Sequence, residues 1–363
     1  MNAAEPHARP IQRVLIIKPS SLGDIVHALP VLAALRAAYP QAHIAWLVGS
    51  TFVPLLADHP LLDEVIPFDR RRYGRMLQNR RILLDFIGFL RQLRSRRFDL
   101  VIDLQGLIRS GFMAWASGAR QRIGFTNARE GAPLFYTRRV RCGSIDQHAV
   151  EKNLQIAAAL NLDIRAPQFP LGLTADETTA ARKLLHASAG EEIKSFTAIL
   201  PGGRWPSKLW PAQRWGELIE RIHAAGLPRC VLLGAGADRA FSDRIVAACN
   251  STPLDLVGHT TLRELVALLD LAERVVCHDS GPMHIAAALG KPLVAIFGPT
   301  NPARTGPYST NARVINRDLP CTPCYKRTCP LKHHACLREL DTDTVFDRVR
   351  DCVSPRRHEA TKK

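Results

Sequence analysis

The length, composition and charge of the chain limit what it can be. It has 363 residues, 46% of them hydrophobic, with a mean hydropathy of −0.06, so we expect a globular protein of two domains. No run of about 18 uncharged apolar residues occurs, which argues against a transmembrane helix. Residues 1–13 are polar and lack the apolar core of a signal peptide, so we expect a cytoplasmic protein. The nine cysteines do not suggest a secreted disulfide framework.

The positive charge is large and unevenly distributed. The formal net charge is +16, and the segment 70–97 contains ten arginines but a single acid, Asp85. Apolar residues run through this segment, which predicts an arginine-rich loop leading into an amphipathic helix. Such a segment can bind anionic lipid or phosphate groups, or it can be a solvated helix face. Tyr73 is alone among these arginines and aromatics make up 6% of the chain, so we expect no nucleic-acid partner.

The first strand and the turn after it have the most specific local pattern. The apolar run Val14–Ile17 predicts a buried parallel strand, and helical periodicity follows the turn. Lys18, Asp24 and His27 lie in and just after this turn, at the strand end where α/β folds place ligands. The turn lacks a Gly-Lys-Ser/Thr ending, and Gly23 is its single glycine, so it is neither a Walker loop nor a dinucleotide fingerprint. The missing fingerprint argues against a dehydrogenase.

Strand-like and helix-like segments alternate twice along the chain. Strands are predicted at Val14–Ile17, Ile44–Val48, Val65–Pro67, Leu100–Leu104, Phe196–Leu200, Cys230–Leu233, Leu254–Val257, Val275–Cys277, Leu293–Phe297 and Arg313–Ile315. This alternation predicts parallel sheets, and the turn-rich bridge Asp163–Gly172 separates two halves. We therefore expect an α/β protein with two Rossmann-like domains facing across a cleft, residues 1–165 and 173–340. Residues 341–363 should form a C-terminal helix and a disordered tail.

Glycine-containing turns follow the predicted strands of the second half. They indicate a nucleotide-diphosphate site, because glycine allows backbone N–H groups to approach an anion. Asp279 and Ser280 could cap the helix that follows them, while Gly281 and His284 could hold a diphosphate without a metal. The turn residues Gly203, Arg204 and Lys208 belong to the same pattern, with Lys208 as a mobile cation. Asp238 could bind ribose hydroxyls or cap a helix.

A cluster of cysteines lies beyond the last predicted strand. Its spacing is Cys321-x2-Cys324-x4-Cys329-x6-Cys336. Four thiolates could hold zinc or an iron–sulfur cluster, although the spacing fits no standard finger or ferredoxin closely. The alternative is a set of reduced or disulfide-paired thiols in a loop. Because the diphosphate turns lie elsewhere in the sequence, any metal held here should be structural.

Four of these motifs together resemble a known family. Lys18-Pro-Ser-Ser-Leu-Gly-Asp24, Gly203-Arg-Trp-Pro-Ser-Lys208, Asp279-Ser-Gly-Pro-Met-His284 and Phe297-Gly-Pro-Thr300 are similar to motifs of the ADP-heptose:lipopolysaccharide heptosyltransferases (glycosyltransferase family 9). These are inverting enzymes of the GT-B fold. The resemblance runs from about Val14 to the C-terminal helix. Asn127–Glu130 and Gln147–Glu151 look most like heptosyltransferase I, whereas the cysteine-rich segment looks more like other members of the family, including heptosyltransferase II.

The resemblance implies a function and roles for single residues. The donor would be ADP-heptose, the acceptor Kdo2-lipid A or heptosylated lipid A core, and the enzyme would lie on the inner face of the cytoplasmic membrane. Asp24 matches the catalytic base. The donor residues would be Gly203, Arg204, Lys208, Asp238, Asp279, Ser280, Gly281 and His284. The acceptor residues would be Arg70, Arg71, Arg72, Arg75, Arg129 and His148. The alternative is a family 9 enzyme, such as heptosyltransferase II, with another acceptor or donor sugar. We expect no cofactor and no catalytic metal, because no Asp-x-Asp pair follows a donor turn.

Overall fold

The structure is a computed structural model that describes residues 10–144 and 146–352. It divides into two compact units, the first ending at Gly172 and the second beginning at Leu173. Residues 1–9 and 353–363, and with them the expected disordered tail, lie outside the described residues. No helix in the described ranges is long and apolar enough to cross a membrane.

The first unit is built on a six-stranded parallel sheet. Its strands are β1 (Arg13–Ile17), β2 (His43–Gly49), β3 (Glu64–Phe68), β4 (Leu100–Asp103), β5 (Gln121–Phe125) and β6 (Arg138–Val140), in the order β3-β2-β1-β4-β5-β6. β1 lies between β2 and β4, with Val14 opposite Ile44 and Leu100. Four of its five residues are buried, which explains its continuous apolar run. The turn after β1 is therefore near the middle of one sheet edge.

Helices cover both faces of this sheet. They are α1 (Leu22–Val26), α2 (Leu29–Ala38), α3 (Val53–Leu56), α4 (Arg70–Tyr73), α5 (Arg80–Ser95), α6 (Ile108–Ala116) and α7 (Ala149–Ala159), with 3-10 turns at Ser50–Phe52 and Ala132–Phe135. The expected amphipathic helix is α5, which buries Phe86 and Leu93 against the sheet. Asn79 caps it by accepting hydrogen bonds from two backbone N–H groups of its first turn.

The second unit repeats this architecture. Its strands are β7 (Thr197–Leu200), β8 (Cys230–Leu232), β9 (Leu254–Asp255), β10 (Arg274–His278), β11 (Leu293–Phe297) and β12 (Ala312–Asn316), in the order β12-β11-β10-β7-β8-β9. The helices are α8 (Ala175–Ala189), α9 (Ala212–Ala224), α10 (Arg239–Val246), α11 (Leu262–Leu271), α12 (Gly281–Ala288), α13 (Pro302–Thr305), α14 (Ala335–Arg338) and α15 (Thr342–Arg350), with 3-10 turns at Pro206–Lys208 and Gly236–Asp238. β7 and β10 are adjacent, so the turns after them share one edge.

Two tryptophans anchor one face of the second sheet. Trp210 and Trp215 are fully buried and meet edge to face at 5.3 Å. Trp210 Nε1 donates a hydrogen bond to Leu340 O at 3.0 Å, which ties the C-terminal helices to this core. The segment that carries Lys208 leads directly into Trp210. The core therefore holds one end of that segment in place.

The predicted fold class is confirmed, with two strands missed and four shortened, three of these by a single residue. Each unit is a parallel α/β sheet, and all ten strand–strand pairings of the described ranges are parallel. β5 and β6 were not predicted, because β5 mixes polar residues and a glycine, and two of the three residues of β6 are exposed arginines. β9 ends at Asp255 rather than Val257, because the Asp255 carboxylate accepts the Val257 backbone N–H in a turn.

Candidate active site

The turn after β1 holds Asp24 at the start of a short helix. Asp24 Oδ2 accepts hydrogen bonds from the backbone N–H of Ser21 at 2.8 Å and from its hydroxyl at 2.7 Å. These bonds fix the carboxylate at the N-terminal end of α1. The Asp24 side chain keeps 42% of its surface exposed. A fixed and accessible carboxylate can accept a proton from a bound molecule.

Lys18 is the cation beside this carboxylate. Its side chain is nearly buried, and Nζ lies 3.9 Å from Asp24 Oδ1 and donates a hydrogen bond to Leu104 O at 2.8 Å. Burial alone would raise the pKa of Asp24, but Lys18 and the two Ser21 hydrogen bonds outweigh it and lower the pKa below its ordinary value. Asp24 is therefore ionised at neutral pH.

A buried pair, Asp103 and Tyr136, orders the turn that binds Lys18. The two Asp103 oxygens accept the Tyr136 hydroxyl at 2.7 Å and the backbone N–H groups of Gln105 and Gly106 at 2.9 and 3.1 Å. Burial raises the pKa of Asp103, and burial beside Asp103 raises the pKa of Tyr136. Tyr136 packs so closely on Gly124 that a Cβ there would lie 2.3 Å from the ring. Tyr136 belongs to no sequence motif, so its role was not predicted.

Two histidines lie at helix ends near Asp24. His27 follows α1, and His148 caps α7 by accepting the Val150 N–H at Nδ1. Their rings meet edge to face at 5.4 Å, and Asn153 Nδ2 donates to His27 O at 3.0 Å. The predicted acceptor residue His148 is thus brought beside the Asp24 turn.

The predicted acceptor arginines do not form one cluster. Arg129 is exposed, and its N–H donates to Gly106 O, so it lies at the carboxyl ends of β4 and β5. Arg70, Arg71, Arg72 and Arg75 lie in or just after α4, beyond the edge strand β3 and two strands from β1. The N-terminus of α4 is capped by Asp69, and Arg72 pairs with Asp85. No contact between this group and Asp24 is seen in residues 10–144.

In the second unit, Lys208 and Asp279 form an ion pair. Lys208 Nζ lies 2.5 Å from Asp279 Oδ2, which also accepts the Thr300 hydroxyl at 2.6 Å. The side chains of Lys208 and Asp279 are 17% and 7% exposed. The pair therefore joins the turns after β7, β10 and β11. Lys208 Nζ also lies 4.8 Å from the centre of the Trp205 ring.

The start of α12 supplies further donors to this edge. Ser280 is the N-cap residue, Gly281 and Pro282 lie in the first turn, and the buried His284 follows two residues after Pro282. The Ser280 hydroxyl oxygen is buried and has no hydrogen-bond partner within residues 10–144 and 146–352. Free N–H groups at a helix N-terminus together with an unsatisfied hydroxyl are suited to an anion. The capping role considered for Asp279 and Ser280 is not seen, because neither side chain accepts an N–H of α12.

Asp238 reaches across to the turn that contains the predicted donor residues. Its carboxylate accepts the Ala235 N–H at 3.0 Å, and a Cβ on Gly202 would lie within 2.4–2.6 Å of its carboxyl atoms. Burial raises the pKa of Asp238 above its ordinary value. Hydrogen bonds from the backbone of Ala235 and Gly203 lower this pKa, but by less than burial raises it. Asp238 precedes α10 but accepts no capping hydrogen bond from it. The helix-cap alternative therefore applies to the 3-10 turn Gly236–Asp238, whose N-cap N–H the Asp238 carboxylate accepts, but not to α10. Arg204, in the same turn as Gly203, is exposed.

His278 is a buried residue for which no role was predicted from the sequence. It is fully buried at the end of β10, and Nε2 accepts the Trp210 N–H at 2.8 Å. Burial lowers the pKa of His278 to about 4. Hydrogen bonding with the backbone of Pro201 and Gly202 acts in the opposite direction but does not outweigh burial. The neutral imidazole thus connects β10 to the segment that carries Lys208.

The cysteine-rich segment packs on the Lys208 turn. Ser207 donates its N–H to Arg327 O at 3.1 Å and its hydroxyl to Lys326 O at 2.6 Å, and the His334 ring bonds Ser207 O at 2.7 Å. The pKa of the Cys336 thiol is raised to about 11, mainly by burial and further by the other three thiols of the cluster. All four thiols are free. Over the ranges that the structure describes, no three His, Cys, Asp or Glu side chains are grouped to hold a metal ion.

Comparison with known proteins identifies the family. The profile of glycosyltransferase family 9 (heptosyltransferase) matches residues 87–335. Lipopolysaccharide heptosyltransferase 1 of Pseudomonas aeruginosa is 33% identical over 319 residues, 87% of each chain. The chain belongs to glycosyltransferase family 9. This membership confirms the expected family and makes the chain a glycosyltransferase.

Two further relatives agree with this assignment. Lipopolysaccharide heptosyltransferase 2 of Escherichia coli is 30% identical over 84% of this chain and 87% of its own. The structure described as E. coli heptosyltransferase WaaC with ADP is 27% identical, covers 94% of this chain and 100% of that chain, and superposes with a TM-score of 0.75. The likeness to this family 9 structure supports the GT-B class for the present chain.

Proposed function

We propose that this family 9 glycosyltransferase transfers heptose from ADP-heptose to the Kdo region of the lipopolysaccharide inner core, as a heptosyltransferase I. The observation that carries the proposal is the Asp24 carboxylate, which is ionised, partly exposed and fixed beside Lys18. The relatives support the substrates. One at 33% identity is named lipopolysaccharide heptosyltransferase 1, and WaaC is described with ADP.

In this proposal Asp24 is the general base. The acceptor hydroxyl oxygen forms a bond to the anomeric carbon of the heptose while the bond from that carbon to the β-phosphate oxygen of ADP breaks. The hydroxyl proton passes to Asp24, and ADP leaves with the bonding electron pair, so the anomeric configuration inverts. Asp24 is a weak base because its pKa is lowered. The acceptor hydroxyl becomes more acidic, however, as its oxygen attacks the anomeric carbon. The ionised Asp24 carboxylate is therefore basic enough to accept its proton.

The leaving diphosphate would bind to the second unit. An ammonium group has three N–H donors. Asp279 accepts two of those of Lys208, at its carboxylate and, at 3.4 Å, at its backbone oxygen, which leaves one for the phosphate oxygens. The α12 N-terminus and the Ser280 hydroxyl would bind the same charge as it develops. Asp238, beside Gly202 and Gly203, would accept hydrogen bonds from ribose hydroxyls.

The acceptor and the membrane would bind to the first unit. Kdo carboxylates and lipid phosphates would be bound by Arg70, Arg71, Arg72, Arg75, Arg129 and His148. Leu77 lies between α4 and α5, and Leu84 lies within α5. The two leucines are 89% and 56% exposed. Exposed leucines among arginines suit the interface of an anionic membrane. We therefore propose a cytoplasmic enzyme bound peripherally to the inner membrane surface.

A transfer assay with purified enzyme tests the function. We expect ADP-heptose and Kdo2-lipid A to give mono-heptosylated lipid A. Mono-heptosylated lipid A offered as acceptor should give no product. Transfer to the second acceptor alone would instead indicate a heptosyltransferase II, and transfer to neither would contradict the proposal.

A further inference from the structure

A recess lined by arginines lies at the other end of the first sheet. Its volume is about 960 Å³, and Arg91, Arg94, Arg97 and Arg120 line it together with Asp99. Asp99 immediately precedes β4, and Arg120 immediately precedes β5. The recess is therefore at the amino ends of the strands, whereas Asp24 and its partners lie at the carboxyl ends.

The charges in this recess are not balanced. Across residues 10–144 and 146–352, none of the four arginines has an ion-pair partner. Arg96, by contrast, pairs with Glu64 at 2.6 Å and does not line the recess. The lone acid, Asp99, already accepts the backbone N–H groups of Gln12 and Arg13 at 2.9 Å each. Four guanidinium groups and a single, partly satisfied carboxylate thus line the recess.

The local backbone accommodates this arrangement. Arg97 has a φ of +51°, an uncommon conformation for a non-glycine residue. Gly118 has a φ of +74°, and a Cβ there would lie 3.4 Å from the Arg94 guanidinium. The glycine lets Arg94 lie close against the end of α6. Phe98 is the one aromatic among the residues that line the recess, and it is buried, so the lining offers no exposed ring for stacking a nucleic-acid base.

We propose that this recess binds a phosphate-bearing ligand, either a phospholipid head group or a soluble phosphate ester. Guanidinium groups bind phosphate oxygens through paired hydrogen bonds, and several of them around one concave surface favour a compact anion over an extended chain. The volume is in the range of small-ligand sites. This binding is separate from sugar transfer, since it uses none of the residues assigned to the donor or acceptor.

The test compares two triple variants that lose the same charge. One is Arg91→Gln/Arg94→Gln/Arg120→Gln in the recess, and the other is Arg138→Gln/Arg182→Gln/Arg348→Gln at exposed positions elsewhere. The single variant Arg94→Gln is added in case the recess triple folds poorly. Inorganic pyrophosphate is the soluble probe, and its binding is read by amide hydrogen exchange in peptides covering 91–98 and 117–121. Sedimentation with phosphatidylglycerol–phosphatidylcholine vesicles, against phosphatidylcholine alone, is the lipid arm.

We expect protection of both peptides by pyrophosphate, or sedimentation with anionic vesicles, and about tenfold weaker binding for the recess triple than for the control triple. If the recess triple loses pyrophosphate binding, the ligand is a soluble phosphate ester. If it loses only vesicle sedimentation, the ligand is a lipid head group. The single variant should lose part of the same binding. Equal binding by the recess and control variants in both arms would overturn the proposal. Transfer to a soluble acceptor should be unchanged in every variant that folds, whatever the recess binds.

Discussion

Lys208 Nζ and Asp279 Oδ2 lie 2.5 Å apart, although 71 residues separate them in the chain. The pair connects the turn after β7 to the end of β10, and Thr300 donates to the same carboxylate oxygen from the turn after β11. Three strand ends are thus held together by one carboxylate. The position of the Lys208 ammonium consequently depends on Asp279, so Asp279 would affect donor binding without having to contact the donor.

Replacing Lys208 tests the assignment of the donor to the second unit. Lys208→Ala should weaken ADP binding by about 10- to 100-fold, because a charge-assisted hydrogen bond contributes about 1.5–3 kcal/mol. Asp279→Asn should weaken it less, since the ammonium remains but is poorly positioned. Calorimetric titration with ADP measures both. Arg71→Ala in the first unit is the control and should bind ADP normally. If Arg71→Ala lost ADP binding and Lys208→Ala kept it, the assignment would be reversed.

Replacing Asp24 tests the base. Asp24→Asn should lower kcat by about two to four orders of magnitude, the usual contribution of a positioned base. ADP affinity should change little, because Asp24 belongs to the other unit. Steady-state transfer assays and calorimetry separate the two effects. A folded Asp24→Asn enzyme with near-normal kcat would refute the role.

Lys18 offers a second measurement on the same base. The pKa of Asp24 lies below its ordinary value of 3.8, so its protonation should not reduce kcat above about pH 5. Lys18→Met removes the cation and should raise this pKa, which moves the acidic limb of the kcat–pH profile upward. An unchanged acidic limb in Lys18→Met would show that Lys18 does not control the ionisation of Asp24.

Much of this site could be predicted from the sequence, since the chemistry lies at strand ends that apolar runs reveal. Lys18 and Asp24 share one turn, so their proximity follows from local structure. The contact of Asp103 with Tyr136 joins residues 33 positions apart, and it depends on β4, β5 and β6 being neighbours. β5 and β6 lack apolar runs, so that adjacency was not predictable. The hydrophobic pattern of the sequence also does not give the direction of a side chain, which decides what Asp238 contacts.

The Tyr136 hydroxyl should matter for stability and for turnover. Tyr136→Phe leaves a buried Asp103 oxygen without its 2.7 Å donor, and we expect unfolding to become easier by about 1–3 kcal/mol. Because Asp103 orders the turn that binds Lys18, kcat should also fall while the KM for ADP-heptose stays constant. Urea unfolding and transfer kinetics measure these changes. Tyr39→Phe, at the exposed end of α2, is the matched control. A variant as stable and active as the control would remove Tyr136 from the site.

Protonation of His278 should destabilise the second unit in mild acid. Its pKa is lowered from 6.5 to about 4, so between these values the unfolded chain binds more protons than the folded chain. The stabilisation is therefore complete above about pH 6.5 and is lost as the pH falls toward 4. This group alone should lower the free energy of unfolding by about 2 kcal/mol from pH 7 to pH 5. His278→Gln keeps an acceptor for the Trp210 N–H but does not titrate. Urea unfolding at both pH values should therefore show a shallower pH dependence for His278→Gln, and an equal dependence would contradict this account.

The arginines of α4 provide the test of acceptor and membrane binding. Changing Arg70, Arg71, Arg72 and Arg75 to Ser should raise the KM for Kdo2-lipid A and weaken sedimentation with anionic vesicles, since each charge near such a surface contributes about 1 kcal/mol. Wild-type vesicle binding should also decline as salt screens these exposed charges. ADP affinity should be unaffected, because these residues are in the first unit. These arginines are largely exposed and, within the part of the chain that the structure describes, Arg72 alone among them has an acidic partner, Asp85, so the fold should tolerate the change. If the quadruple variant bound acceptor and vesicles like wild type, the segment would be a solvated helix face, and acceptor recognition would depend on Arg129 and His148.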